Sequence, residues 1–314
     1  MKALKLTALI VGLLYSYFFI IPCISLARIS FKITDEQGRP IEGALVKTSS
    51  KLGRKGGNEG PTDKNGHYSI CLRTTSGTVY IGAQKDNFYG SGMWRQFYRM
   101  NFGIWQPWNE QITIVLRPIV NPVPMYVRNL DWFAVPVIGK PVGYDLMQAD
   151  WVKPYGKGEI GDLIFKVDKR FKNRDDYKAN LSVRFSNPHD GIQIIKQPKL
   201  ELFKPTSKFL LPRIAPEDGY QPEFSKLVTQ YLGDDLYKDN NYIFRVRSVA
   251  DRNGKLIRAM YGKIRNDIEF EPRTKIVKIK MHYYLNPDYT RNLEFDPKRN
   301  LFTNLPKFEK VGQP

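Results

Sequence analysis

Alternation of apolar and polar positions dominates the chain after its first 27 residues. In ISFKIT, the apolar Ile29, Phe31 and Ile33 alternate with polar neighbours, which is the period-two pattern of a strand with one buried face. The same alternation recurs in GALVKTSS, HYSICLR, GTVYIGAQK and QITIVLRP. Turn signals rich in Gly, Pro, Asp and Asn separate these stretches. The pattern therefore predicts short strands joined by tight turns.

Strand patterns continue beyond a proline-punctuated linker at residues 119–126. The clearest stretches are GDLIFKVDKRF, ANLSVRFSN, IQIIKQPKLELF, NYIFRVRSV and TKIVKIKMHYYL. ADRNGKLIRAMYGKI is typical of a hairpin that turns at Asn253-Gly254. These stretches predict a second domain that also consists mainly of strands.

One stretch departs from the strand pattern. PEFSKLVTQYLG carries apolar residues at helical spacing, including Phe224, Leu227, Val228 and Tyr231, before Gly233. We therefore expect an all-β protein with an N-terminal seven-stranded-type sandwich at residues 28–118. A larger mainly-β domain with one short helix is expected at residues 119–314.

The N-terminus, MKALKLTALIVGLLYSYFFIIPCISLA, has the parts of a signal peptide. Lys2 and Lys5 precede an apolar run at residues 6–21, and SLA at its end is typical of a cleavage site after Ala27. An uncleaved membrane anchor is the alternative, because the run is long for a signal. A lipoprotein interpretation through Cys23 is weaker. All three predict an extracytoplasmic protein that is periplasmic, secreted or at the cell surface.

The chain has two cysteines, Cys23 and Cys71. Removal of Cys23 with a signal peptide would leave no intramolecular disulfide. Cys71 lies within the alternating YSICLR and is expected to be a small buried hydrophobic residue.

Two turns resemble those of a known module. DEQGRPIEGALV and TDKNGHYSI are similar to the paired turns of the carboxypeptidase regulatory-like module. The matching positions are Gly38, Pro40, Gly43, Ala44, Val46, Thr62, Asp63, Gly66 and Tyr68. The resemblance implies a transthyretin-like, immunoglobulin-like β-sandwich over residues 28–117, used as a non-catalytic accessory module. We expect Asp63 to hydrogen-bond the backbone of its own turn. The closing YYLNPDYTRNLEFDPKRNLF resembles uncharacterised bacterial secreted proteins.

An aromatic insertion at residues 86–110 holds three of the five tryptophans. Aromatic side chains beside polar groups suit sugar rings. We favour packing of this stretch against the second domain, with glycan binding as the alternative. The candidate ligand-binding residues are Trp94, Arg95, Tyr98, Arg99, Trp105 and Trp108, with Trp151 and Tyr155 from a glycine-rich stretch of the second domain.

The net charge of +18 suggests contact with polyanions such as anionic lipid or acidic glycans. Lys and Arg are spread along the chain rather than clustered, which favours an ordinary solvated surface. We do not expect nucleic acid as a partner, because an extracytoplasmic location disfavours it. Membrane contact is expected only if the N-terminal segment is uncleaved.

Candidate chemistry is sparse. His67, His189 and His282 lie far apart in sequence, and neither HExxH nor GxSxG is present, so no metal, cofactor or serine nucleophile is predicted. Carboxylates at Asp145, Asp150, Glu159 and Asp162 could serve glycoside hydrolysis, although acidic residues near glycine turns are usually solvated. The sequence therefore predicts no catalytic residues.

The sequence thus predicts a secreted or periplasmic, non-enzymatic binding or structural protein of bacterial type, whose partner is a cell-envelope protein or a glycan. Two alternatives stay open. One is a carbohydrate-binding accessory protein that uses residues 86–110, and the other is a secreted hydrolase with its site in the C-terminal domain.

Overall fold

The computed structural model describes residues 25–50, 57–196, 204–232, 237 and 239–314. Secondary structure in this part of the chain consists of strands, and the described residues contain no helix. The all-β prediction is therefore confirmed.

The strands are numbered in chain order. The first eleven are β1 Leu26–Thr34, β2 Leu45–Ser49, β3 Asn58–Pro61, β4 His67–Arg73, β5 Thr78–Gln84, β6 Phe88–Tyr89, β7 Ser91–Gln96, β8 Arg99–Asn101, β9 Ile104–Gln106, β10 Glu110–Val115 and β11 Arg117–Pro118. The others are β12 Val123–Ala134, β13 Val142–Asp145, β14 Asp150–Trp151, β15 Leu163–Asn173, β16 Asp176–Arg184, β17 Gly191–Lys196, β18 Thr206–Ser207, β19 Glu223–Thr229, β20 Asn240–Ala250, β21 Leu256–Glu271, β22 Lys278–Asn286 and β23 Phe295–Asn300.

The chain divides into two compact units. Unit 1 comprises Met1–Ile119 and Leu200–Leu210, and unit 2 comprises Val120–Lys199 and Leu211–Pro314. Unit 1 therefore takes a second chain segment from the middle of the sequence. The apolar pattern carries no signal for this segment.

Unit 1 is a β-sandwich. Sheet I has the order β10-β1-β9-β8, with β4 also paired to β1, and sheet II has the order β18-β7-β5-β2-β3. Strands β6 and β11 form a separate pair. The alternate residues Ile29, Phe31 and Ile33 of sheet I are buried in one apolar core with Val46 and Ile81 of sheet II. This alternation is the one that predicted the strands, because burial between two sheets requires it.

Unit 2 contains two further sheets. Sheet III has the order β14-β13-β15-β16-β19, and sheet IV has the order β17-β20-β21-β22-β12-β23. Their shared core includes Phe165 and Leu181 from sheet III with Phe244 and Tyr283 from sheet IV. The strands predicted from the second half of the sequence correspond to β15, β16, β17, β20, β21 and β22.

Three turns among the described residues share one geometry. In each, an Asp carboxylate accepts hydrogen bonds from the backbone N–H groups two and four residues further on, at Asp35, Asp63 and Asp251. A glycine follows three residues after each Asp with a positive φ, 78° at Gly38, 74° at Gly66 and 79° at Gly254. The predicted capping by Asp63 is confirmed. The N–H groups of His67 and Asn65 also lower the pKa of Asp63.

The predicted helix is wrong. Residues Glu223–Thr229 form strand β19, which pairs with β16 along its whole length. Phe224, Lys226 and Val228 are buried, which is the alternation of a strand. The helical prediction required Tyr231 in the core and Lys226 in solvent. In the structure the reverse holds, because Lys226 is fully buried and Tyr231 is 91% exposed.

The expected burial of Cys71 is also wrong. Its side chain is exposed, and the neighbouring Ile70 and Leu72 face the core. Because successive side chains of a strand point to opposite faces, the residue between two core positions must point outward.

The signal-peptide segment lies largely outside the described residues, and so does Cys23. The described end of that segment belongs to the sandwich. Ala27 is fully buried, and Leu26 pairs with Arg73 and Ile104. Cleavage after Ala27 would therefore shorten β1 by two residues. The described ranges contain no helix that is long and apolar enough to span a membrane.

Candidate ligand-binding groove

The outer face of sheet II carries a groove in unit 1. Along β5, Val79, Ile81 and Ala83 point into the core, so Tyr80 and Gly82 point outward. The register between β5 and β7 determines which outward residues of the two strands are neighbours. Gly82 lies directly opposite Gly92, and Tyr80 lies directly opposite Trp94.

The paired glycines make the floor of the groove. A Cβ atom added to Gly82 would meet no atom within 4 Å, and one added to Gly92 would meet only the Ile81 carbonyl oxygen, at 3.4 Å. Neither glycine has a positive φ. Crowding and backbone conformation therefore do not explain these glycines. Their effect is to leave the backbone bare in the floor of a groove of about 750 Å³. Tyr80 and Trp94 lie two residues away along β5 and β7, on the same outer face but outside the residues that line the groove.

Three lysines line the groove, Lys47, Lys85 and Lys208. Lys47 pairs with Glu59 at 3.2 Å, with both side chains half exposed. The Lys85 ammonium donates to the Gly43 carbonyl oxygen at 3.4 Å. One acidic residue, Asp86, is among the lining residues, so the lining is cationic.

Lys208 reaches the groove through the second chain segment of unit 1. Strand β18 pairs with β7, opposite Ser91 and Gly92, and the Lys208 N–H donates to the Gly90 carbonyl oxygen at 2.9 Å. Phe209 follows, fully buried against Tyr89 with ring centroids 5.0 Å apart. A distant part of the sequence thus supplies one wall of the groove.

Two of the predicted ligand residues lie on β7 and point in opposite directions. Trp94 is on the outer face and 41% exposed. Arg95 is mostly buried, and its Nε donates to a Glu110 carboxylate oxygen at 2.6 Å while its guanidinium lies 5.4 Å from the Phe97 ring centroid. Trp94 can contact a ligand directly, whereas Arg95 has a structural ion pair.

The other predicted ligand residues of the aromatic insertion lie on or near sheet I. Trp105 packs against the core and donates from Nε1 to the Thr74 carbonyl oxygen at 2.7 Å. Tyr98 and Arg99 are exposed at the start of β8, and Trp108 is 40% exposed between β9 and β10. Because Trp94 is on sheet II and Trp105 faces the core from sheet I, the two do not form one platform.

The two predicted residues of unit 2 have different surroundings. Trp151 is buried among Phe133, Tyr144 and Phe165, and its Nε1 donates to the Ala134 carbonyl oxygen at 3.0 Å. Its position is that of a core residue. Tyr155 is 47% exposed and lines a separate pocket of about 370 Å³.

The carboxylates weighed for hydrolysis order the loops of unit 2. Asp145 and Asp162 are buried, and both accept hydrogen bonds from Arg247, at 2.7–2.9 Å. Burial raises the pKa of Asp162 despite Arg247. Burial acts the same way on Asp145, but the N–H groups of Glu159 and neighbouring residues lower its pKa overall.

Asp150 has a similar structural role. Its two carboxylate oxygens accept hydrogen bonds from the N–H groups of Trp151 and Lys157, at 2.8 and 2.9 Å. Glu159 contributes its backbone N–H to Asp145. These contacts describe a loop-ordering cluster rather than a pair of carboxylates that face an open cleft. Within the described ranges, no group of three or more His, Cys, Asp or Glu side chains could hold a metal ion.

The sequence did not point to Gly82, Gly92, Tyr80 or Lys208. The available signal was a glycine at an outward position in each of two neighbouring strands. That signal becomes informative only when the register is known, because a shift of two residues would separate the glycines.

No protein-family model matches the chain, and neither does any curated protein. Among solved structures, the chain is similar to a DUF3823 family protein from Parabacteroides merdae, with 9% identity over 81% of this chain and 98% of that chain and a TM-score of 0.23. It is also similar to BcpA, the major pilin subunit of Bacillus cereus, with 11% identity over 81% and 95% and a TM-score of 0.23. A streptococcal ancillary pilin gives 9% identity over 82% and 58%, with a TM-score of 0.22. At these TM-scores and identities, the similarities carry no conclusion about this chain.

Proposed function

We propose that the chain is a non-enzymatic, extracytoplasmic binding protein that holds an acidic glycan in the groove of sheet II. The observation that carries the proposal is the glycine floor of the lysine-lined groove, beyond which Tyr80 and Trp94 continue the same outer face of sheet II. A flat, unobstructed floor suits an extended chain of sugar rings.

The chemistry of the groove supports this ligand class. The exposed indole of Trp94 offers an apolar surface for the C–H face of a sugar ring. The ammonium groups of Lys85 and Lys208 can pair with carboxylate or sulfate groups, whereas Lys47 is already paired with Glu59. A neutral glycan would leave this positive charge unused, so the lining favours an acidic one.

We further infer that unit 1 is an accessory module of the carboxypeptidase regulatory-like type. The paired turns at Asp35 and Asp63, with Gly38 and Gly66, support this assignment because they lead into core strands as that resemblance implies. The extracytoplasmic location rests on the apolar N-terminal sequence and its flanking Lys2 and Lys5.

Filling the groove tests the proposal. Gly82→Val places a side chain where no atom lies within 4 Å, so the fold should tolerate it. Binding of a sulfated tetrasaccharide, measured by titration calorimetry, is expected to weaken about tenfold or more, which corresponds to about 1.4 kcal/mol. The thermal unfolding midpoint should stay close to that of the wild type.

Gly312→Val is the matched control, because Gly312 also has no atom within 4 Å of an added Cβ and lies outside the groove. It should bind like the wild type. A neutral tetrasaccharide should bind much more weakly than the sulfated one. Unchanged binding by the Gly82→Val protein, or equal affinity for the neutral sugar, would contradict the proposal.

A further inference from the structure

A β-bulge in unit 2 turns Trp132 out of the core. Strand β12 has two residues, Asp131 and Trp132, opposite the single Lys280 of β22. Strict alternation from the buried Leu130 would point Trp132 inward. The bulge instead points Phe133 toward the core and leaves Trp132 37% exposed. Bulges commonly re-aim a side chain in this way next to a site.

The backbone at Trp132 is strained. Its φ is +50°, in the left-handed region that bulky side chains rarely adopt. Trp also gains more than most residues from burial, because its apolar surface is large. An exposed Trp held in an unfavourable backbone conformation therefore indicates a functional outward position.

Trp132 lines a pocket of about 540 Å³ with Ile276, Lys275 and Lys278. Ile276 is 56% exposed and provides a second apolar surface. The loop that carries Ile276 is held from outside the pocket, because the Lys169 ammonium donates to the Thr274 carbonyl oxygen at 2.6 Å. This hydrogen bond therefore helps to fix the backbone next to Ile276, one of the two apolar residues of the pocket.

The charge of the pocket is positive. Glu271 also lines it, but the Arg273 backbone N–H and Nε both donate to its carboxylate at 2.8 Å. Lys280 pairs with Glu269 at 3.3 Å, and its ammonium lies 5.7 Å from the Trp132 ring centroid. For Lys275 and Lys278, no ion pair is found among the described residues. An anionic group is therefore the complementary ligand.

We infer that this pocket binds an acidic sugar unit, with the indole of Trp132 against the C–H face of the ring and the ammonium groups of Lys275 and Lys278 on its carboxylate or sulfate. The inference extends the proposed function to a second site for the same ligand class. It depends on residues of unit 2 alone, so either site can fail without the other.

The test is titration calorimetry of the full chain with a sulfated tetrasaccharide. The wild type is expected to bind at two sites. Trp132→Asn, chosen because Asn tolerates a positive φ, should remove one site. Trp94→Ala should remove the other.

Lys278→Gln should weaken the Trp132-dependent site about tenfold and reduce the salt dependence of binding at that site. Lys255→Gln, at an exposed turn of the same unit, is the control and should behave like the wild type.

Three results would overturn the inference. Wild-type stoichiometry and affinity in the Trp132→Asn protein would overturn the inference, as would equal binding of a neutral tetrasaccharide at the Trp132-dependent site. Tighter binding of single-stranded DNA at that site than of the sulfated sugar would also overturn it. A wild type with a single site, abolished by Trp132→Asn and unchanged by Trp94→Ala, would count against the proposed function and leave the Trp132 site supported.

Discussion

At the scale of single residues, short-range hydrogen bonding was the most predictable feature. The turn at Asp63 could be anticipated because its carboxylate binds N–H groups only two and four residues away. Asp251 repeats the same contacts in the second unit, in a sequence, DRNGK, that contains the same Asp and Gly spacing. Such turns depend on five consecutive residues, so no knowledge of distant contacts is required.

His282 should make the protein sensitive to mild acid. Burial, with the charges of Arg265 and Lys263, lowers its pKa to about 4, and its Nε2 is buried without a hydrogen-bond partner among the described atoms. Above pH 6.5 the residue is neutral in both the folded and unfolded states. As the pH falls from 6.5 to 4, the unfolded state binds the proton first, so the free energy of unfolding should decrease by up to about 3 kcal/mol.

The measurement is urea denaturation at pH 7, 5.5 and 4.5. His282→Phe retains a ring beside Tyr284, whose centroid lies 5.1 Å from that of His282, and removes the titration. The stability of this variant relative to the wild type should rise as the pH falls. His67→Gln, at an exposed position of unit 1, serves as the control. A constant difference between the His282→Phe protein and the wild type at all three pH values would refute the prediction.

At the scale of elements, alternation predicted the strands, and it failed where a polar residue is buried. Strand β19 was mistaken for a helix because Lys226, one of its core positions, is charged. The groove escaped prediction for a different reason. Gly82 and Gly92 are each ordinary in their own strands, and only the pairing of β5 with β7 brings them together. Pairing depends on long-range contacts, which the local pattern does not encode.

The buried lysine gives a prediction at this scale. Lys226 donates to the Asp267 carboxylate, and Tyr242 donates to the other oxygen of that carboxylate at 2.6 Å. Lys226→Met should lower the free energy of unfolding by about 3–5 kcal/mol, because the Asp267 charge loses a buried cationic partner. Combining it with Asp267→Leu should recover much of this loss.

Urea denaturation of the two single variants and the double variant gives the coupling energy between the residues. The exposed pair Lys166–Asp168 provides the comparison, and Lys166→Met should change stability by less than about 1 kcal/mol. Equal decreases in the free energy of unfolding for Lys226→Met and Lys166→Met would show that the buried pair contributes no more to stability than the exposed pair.

At the scale of the whole molecule, the chain does not complete its units in sequence order. Unit 1 is built mostly from residues before Val120, yet it includes Leu200–Leu210. Within that segment Phe209 is fully buried, the Arg117 guanidinium lies 4.4 Å from its ring centroid, and Arg117 donates to its carbonyl oxygen at 2.8 Å. The segment is therefore part of the structure of unit 1 as well as a wall of its groove.

Phe209→Ala should destabilise unit 1 by about 3–4 kcal/mol, because a buried aromatic side chain is lost from its contacts with Tyr89 and Arg117. Thermal unfolding followed by limited proteolysis should show cleavage within residues 25–119 at a lower temperature than in the wild type. Phe308→Ala is the control, because Phe308 is 66% exposed. Equal unfolding temperatures for the two variants would contradict a structural role for the segment.

The late arrival of Phe209 has a consequence for synthesis. When the chain has been made as far as Ile119, strand β7 has only β5 beside it, and the place of β18 along its other edge is empty. An uncovered edge is a template for pairing with another chain. Unit 1 therefore cannot complete its folding until residue 210 has left the ribosome, after the first segment of unit 2, Val120–Lys199, has been made. Factors that shield nascent chains should matter most during this interval.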